Sequence, residues 1–131
     1  MASAPHQFML SLLAMKMKSL GFEPILYDGN SYQIGMTKLK IPLTIHNHRP
    51  DIIGININDE FCIGEVKTEN DLSSCRTKQQ IIDFSKSAKC IICTTKSAQE
   101  KLVNKLNRLG LLFNRNVEML IIPDELIPDV Q

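Results

Sequence analysis

The sequence predicts an α/β domain, a central mixed sheet flanked by helices, in the order αβββαβ with one further helix and strand at the C-terminal end. Three observations lead there. Apolar residues near the start recur at helical spacing and stop at Gly21; the alternating runs Asp51 to Ile57 and Phe61 to Lys67 enclose the turn residues Asn58-Asp59; and helix and strand patterns then alternate as far as Pro123.

The elements follow in order. From about Pro5 to Leu20, residues Phe8, Leu12, Leu13 and Leu20 keep near-helical spacing, and Gly21 supplies the stop. Pro24 to Tyr27, Tyr32 to Met36 and Lys40 to Ile45 are short runs separated by turn residues such as Asp28-Gly29-Asn30, expected as strands or a ragged hairpin. Asp51 to Ile57 and Phe61 to Lys67 form the strongest hairpin signal. Asp71 is the expected cap of a helix running to about Lys86, and Cys90 to Thr94 reads as a short buried strand. Ser97 to Leu109 fits a helix closed by Gly110, and Val117 to Ile122 a last strand. There is no internal repeat and no linker.

At 131 residues the chain fits one domain spanning 1–131, large enough to bury roughly two-thirds of its unfolded surface without a disulfide or structural metal. Its 44% hydrophobic and 22% charged content excludes disordered and low-complexity classes. The apolar stretch Phe8 to Met15 is too short to span a bilayer and has no basic flank before it, so no membrane partner is expected and the cytoplasm is the expected location.

The net charge of +1 argues against a coat that binds nucleic acid by bulk positive charge. The charges are unevenly placed, however. Asp51 to Asp71 holds six acids against Lys67, a balance of −5, while Lys86 to Arg115 holds seven bases against Glu100, a balance of +6.

The acids concentrate on the hairpin. Pro50-Asp51 and Glu65-Val66-Lys67 are separated by thirteen residues, and the period of two sends Glu65 and Lys67 to one face. Asp51 joins them only if the hairpin loop has an odd number of residues. A two-residue Asn58-Asp59 loop would pair Asp51 with Val66 and turn it away. An odd loop gathers Asp51, Ile53, Ile55, Ile57, Phe61, Ile63, Glu65 and Lys67 on one apolar face ending in two acids and a lysine. Burial of that face favours the odd register, so an odd loop is predicted. Two carboxylates so placed suit Mg²⁺, with Asp51, Glu65 and the Val66 carbonyl as oxygen ligands and Lys67 orienting or deprotonating an attacking water. A solvated ion pair at a strand end is the competing reading.

Pro50-Asp51 and Glu65-Val66-Lys67, followed by a helix bearing Gln79-Gln80 and then a strand, resemble the PD-(D/E)XK nuclease superfamily with its restriction-endonuclease-like fold, over about residues 5 to 95. Within it the chain looks most like small stand-alone members of the Holliday junction resolvase type. The resemblance implies Asp51 and Glu65 as acids binding Mg²⁺ or Mn²⁺ and Lys67 as the catalytic lysine. Gln80, with Phe84 four residues on, is similar to a Q-x-x-x-Y motif that helps position the site, and Gln79 is its rival. It implies an endo- or exodeoxyribonuclease acting on DNA, branched or duplex, and a homodimer where paired cuts are made. The alternative is a non-catalytic nucleic-acid-binding or assembly module that keeps the fold. Resolvase-like members carry a glutamate on the first helix, whereas here no acid precedes Glu23. Fewer protein ligands, a substitute group or a weakened site would each follow.

Lys101, Lys105 and Arg108 lie at i, i+4 and i+7 and form one ridge opposite Leu102, Leu106 and Leu109. The ridge reads as a solvated face or as phosphate contacts, and Arg76 and Lys78 stand closer to the acids with the same two readings. His46 and His48 precede Asp51 and read as loop histidines, with His48 also an accessory ligand or acid. Cys90 and Cys93 have C-x-x-C spacing, but on a strand they point to opposite faces, as buried apolar thiols would.

Overall fold

In the computed structural model the described residues are 3–29, 33–34, 37–42, 44–45 and 48–128. Helix α1 covers Ala4–Ser19: the Ser3 side chain accepts from the His6 amide, Pro5 stands in the first turn, and Gly21 at φ 91° closes the end. Strand β1 (Glu23–Tyr27) follows, then two-residue strands β2 (Gln33–Ile34) and β3 (Thr37–Lys38), then β4 (Ile52–Ile55) and β5 (Phe61–Val66). Helices α2 (Glu69–Leu72) and α3 (Cys75–Ser87) lead to β6 (Lys89–Thr95), and α4 (Gln99–Arg108) leads to β7 (Val117–Ile122).

The main sheet has the order β1-β4-β5-β6-β7, antiparallel as far as β5 and parallel from there, so it is mixed and flanked by helices as expected. With the β2-β3 ribbon set aside, α1-β1-β4-β5-α3-β6 reproduces the expected αβββαβ order, and α4 and β7 complete it.

Both faces of the sheet are buried. On one, α1 packs Leu10, Leu13, Ala14 and Met17 against Ile52, Cys62, Val66 and Cys93. On the other, Ile81 and Phe84 of α3 and Leu102 and Leu106 of α4 pack against Ile63, Cys90 and Ile92. Cys90 and Cys93 thus fall in opposite layers, and burial pushes the thiols of Cys62 and Cys93 up to about 12. Helix α1 approaches so closely that a Cβ on Gly64 would lie 2.5 Å from Ile52 Cγ2 and 2.9 Å from Leu13 Cδ2. That contact fixes the helix over the middle of β5.

Several expectations are corrected. Among the described residues of Lys40 to Ile45 there is no strand; Lys40 makes a single bridge to Leu26, and Ile45 one to His48. Tyr32 to Met36 lies partly outside the described residues, as does His46. Asp71 does not cap one long helix. Thr68 caps α2 in a reciprocal box with Asp71, and Ser74 restarts the chain as α3, because two Ser/Thr caps six residues apart each satisfy free amide groups. A 3₁₀ turn, Lys96–Ala98, precedes α4. The apolar hairpin face does not extend to its tip: Ile53 and Ile63 are buried, but Ile57, in the loop, is 97% exposed and Phe61 49%.

The hairpin register is the odd one. Ile52 pairs with Gly64 and Ile55 with Phe61, and the Asn56 amide donates to the Glu60 carbonyl, leaving Ile57, Asn58 and Asp59 as a three-residue loop. Asp59 takes the left-handed conformation at φ 61°, and Asn56 Oδ1 accepts from the Asn58 and Glu60 amides.

Candidate active site

Continuing the β4–β5 ladder by one residue sets Asp51 opposite Glu65. The Val66 amide donates to Asp51 Oδ2 at 2.8 Å, so the main chain of β5 holds this carboxylate across the strand gap. Glu65, on the central side of the hairpin beside Ile92 of β6, is 2% exposed. Its Oε1 is buried with no hydrogen-bond partner.

The two acids are driven apart electrostatically. Burial raises the Glu65 carboxyl well above the ordinary value, and the adjacent Asp51 charge and the hydrogen bond between the two carboxyls raise it further. Burial also pushes Asp51 upward, but hydrogen bonds from His6, Glu65 and the Val66 amide outweigh it and hold Asp51 below its usual value. The two carboxyls are therefore displaced in opposite directions, with one Glu65 oxygen unsatisfied.

Lys67 is nearly buried, and its Nζ donates to Gln80 Oε1 at 2.5 Å. Its own amide donates to the Cys93 carbonyl and its carbonyl accepts from Thr94 Oγ1, so β6 fixes the backbone from which the side chain springs. Gln80, 4% exposed on α3, is thus the glutamine that reaches the site. Gln79 is exposed and donates to Asp83 instead. Phe84 lies in the core, one turn beyond Gln80.

One residue at this site escaped the sequence reading. His6, in the first turn of α1, brings Nε2 to 3.7 Å from Asp51 Oδ1. The hydrogen bond to Asp51 raises the imidazole above its ordinary value against the opposing effect of burial. The first helix carries no acid, and the signal that marks His6 is its place one turn inside the Ser3 cap. Its Nδ1 is also buried without a partner.

The other candidates fall elsewhere. His48 bonds Asp83 Oδ2 at 3.1 Å and packs edge-on to Phe84, which ties the preceding loop to α3. Arg76 is exposed on α3. Lys78, Lys101, Lys105 and Arg108 line one groove of about 500 Å³ beside α2.

Among the described residues no three His, Cys, Asp or Glu side chains converge as a ready-made metal cluster. The donor chemistry nonetheless fits a hard cation: Mg²⁺ is commonly bound through one or two carboxylates together with waters and substrate oxygens, and the orphaned Glu65 oxygen stands beside Asp51, whose carboxyl is held below its usual value.

No helix among the described residues is long and apolar enough to cross a membrane. No family model and no curated protein matches the chain. Among solved structures it is similar to a crystal structure of a repair endonuclease from Pyrococcus abyssi, at 13% identity and a TM-score of 0.44, over 86% of this chain and 44% of that one. The chain therefore spans less than half the length of the structure it matches.

Proposed function

We propose that the chain is a divalent-cation-dependent nuclease of the PD-(D/E)XK type that hydrolyses phosphodiester bonds in DNA. The observation that carries this reading is the pairing of Asp51 with Glu65 across the hairpin, with Lys67 two residues along the same strand and a buried Glu65 oxygen left without a partner.

Asp51, Glu65 and the Val66 carbonyl would hold Mg²⁺ or Mn²⁺, which when bound polarises a phosphoryl oxygen and lowers the pKa of a bound water. The protein's own residues do the rest. Any proton on Glu65 would pass to solvent water, so that Asp51 and Glu65 both present carboxylate oxygens to the ion. His6 steadies Asp51 at Oδ1, the oxygen that the Val66 amide leaves free. Lys67, held by Gln80, directs its ammonium to charge that develops on the phosphate or orients the attacking water.

The test is a cleavage panel of branched, duplex and single-stranded DNA and RNA with Mn²⁺ and Mg²⁺. Cleavage of a DNA substrate that is lost in Asp51→Asn, Glu65→Gln and Lys67→Met supports the reading. No cleavage of any substrate, or cleavage untouched by those variants, refutes it. The second reading, a non-catalytic nucleic-acid-binding module, draws on the lack of a three-ligand cluster among the described residues and requires binding without cleavage in the same panel.

A further inference from the structure

We infer that the groove beside α2 is a second, phosphate-binding subsite, built to hold a phosphate group of a nucleotide or of a nucleic-acid strand away from the acids. Three elements build it. Lys78 comes from α3, while Lys101, Lys105 and Arg108 come from successive turns of α4; Leu72 of α2, itself in the core, and half-buried Leu109 complete the lining. Four cations share a groove of about 500 Å³, within the range of small-ligand pockets.

The groove is partly preorganised. Lys105 Nζ donates to the Ser74 carbonyl at 3.2 Å, and Lys101 Nζ to Ser73 Oγ at 3.3 Å, so both ammonium groups are tied to the turn between α2 and α3. Glu69 answers only Lys101, at 3.4 Å. Among the described residues the side chains of Lys78 and Arg108 have no hydrogen-bond or ion-pair partner. A cluster of like charges with one acid to offset it repels itself, and an anion shared by several of them relieves that repulsion. Arginine and lysine together suit a phosphate, the guanidinium by its planar fork and the ammonium as a point charge. Half-buried Leu109 would meet a sugar or base, and no aromatic ring lines the groove to select one base over another.

Its location ties it to the acids. Ser73 is six residues beyond Lys67, and an extended chain of that length spans at most about 20 Å. Duplex DNA rises 3.4 Å per base pair, so a strand engaged at the acids comes within reach of the groove in about six base pairs. This subsite rests on the nuclease reading for the identity of the polymer but not for the binding itself.

The experiment uses the full chain in EDTA, so that nothing is cut. The probes are deoxyadenosine monophosphate and a 16-base-pair duplex lacking terminal phosphates, followed by amide shifts in NMR and by affinity against salt. Shifts at Ser73 and Asn104 with both probes mark a pocket for a single phosphate; shifts with the duplex alone mark contact with a strand's backbone. Either outcome supports the subsite. The triple variant Lys78→Gln, Lys101→Gln, Arg108→Gln should weaken duplex binding about tenfold or more and lower the log–log salt slope by about 2 to 3, since each lost phosphate contact removes about 0.9. The charge-matched Lys18→Gln, Lys40→Gln, Lys86→Gln variant should not. No shift with either probe, or equal losses in the two triple variants, overturns the subsite. Binding through the groove without cleavage in the Mn²⁺ panel would leave the subsite standing and remove the nuclease reading. Cleavage with an unaffected groove variant would do the reverse.

Discussion

Replacing Gln80 by Met should destabilise the protein through Lys67 rather than through packing. The two chains are of similar length, so the volume at this 4% exposed position is nearly kept. What disappears is Oε1, the acceptor for the ammonium of Lys67, a residue that is itself only 9% exposed. A hydrogen bond to a charged group contributes about 1.5–3 kcal/mol, and losing it with little water to replace it should cost that amount. For a chain of this length the melting temperature should fall by about 5–15 °C. Lys67→Met alone leaves the glutamine amide unsatisfied and should cost about 1–3 kcal/mol. The double variant removes both partners and should return to within about 1 kcal/mol of the wild type, because two apolar side chains of matching shape leave no buried polar group. Urea unfolding of all four proteins measures the cycle. If the two single effects add within about 0.5 kcal/mol, or if Gln80→Met is neutral, the buried Lys67–Gln80 contact does not have the energetic role assigned to it.

Glu65→Gln should stabilise the protein at neutral pH. The folded state raises the Glu65 carboxyl above its unfolded value near 4.5, so the wild type carries no penalty below that pH and loses stability as pH rises through the folded value, by about 1.4 kcal/mol for each unit of displacement. The variant's advantage in urea unfolding should be large at pH 8 and shrink toward pH 4; an advantage independent of pH contradicts this. Gly64→Ala should cost about 1–3 kcal/mol by forcing Leu13 and Ile52 apart, read by thermal unfolding, and a neutral result would mean α1 is not seated on β5 as described. A thiol reagent at pH 8 should titrate one cysteine, Cys75, in the native protein and all four in denaturant; more than one fast-reacting thiol would contradict the burial of Cys62, Cys90 and Cys93.

Much of this arrangement is legible in the chain because it depends on strict alternation. The odd hairpin loop followed from burying Ile53 and Ile63 together, and that requirement also places Asp51 opposite Glu65. Gln80 could not be told from Gln79 by spacing, because α3 starts at a second cap, Ser74, that a single-helix reading overlooks. His6 was invisible for another reason. Its meeting with Asp51 is made by α1 crossing the sheet, a contact between residues forty-five positions apart that no local period encodes. The grouping of Lys78 with the α4 ridge is likewise tertiary: both patterns were readable, but not the groove between them.

The three-residue loop at Ile57-Asn58-Asp59 has a consequence for how the chain can change over time. Inserting or deleting one residue between the two acids would keep the hairpin only by turning one strand over, exchanging the row packed under α1 for the row packed under α3 and α4 and separating Asp51 from Glu65. Two residues gained or lost lengthen or shorten the tip and leave every pairing below it intact. The thirteen-residue interval is thus free to drift in even steps and closed to odd ones.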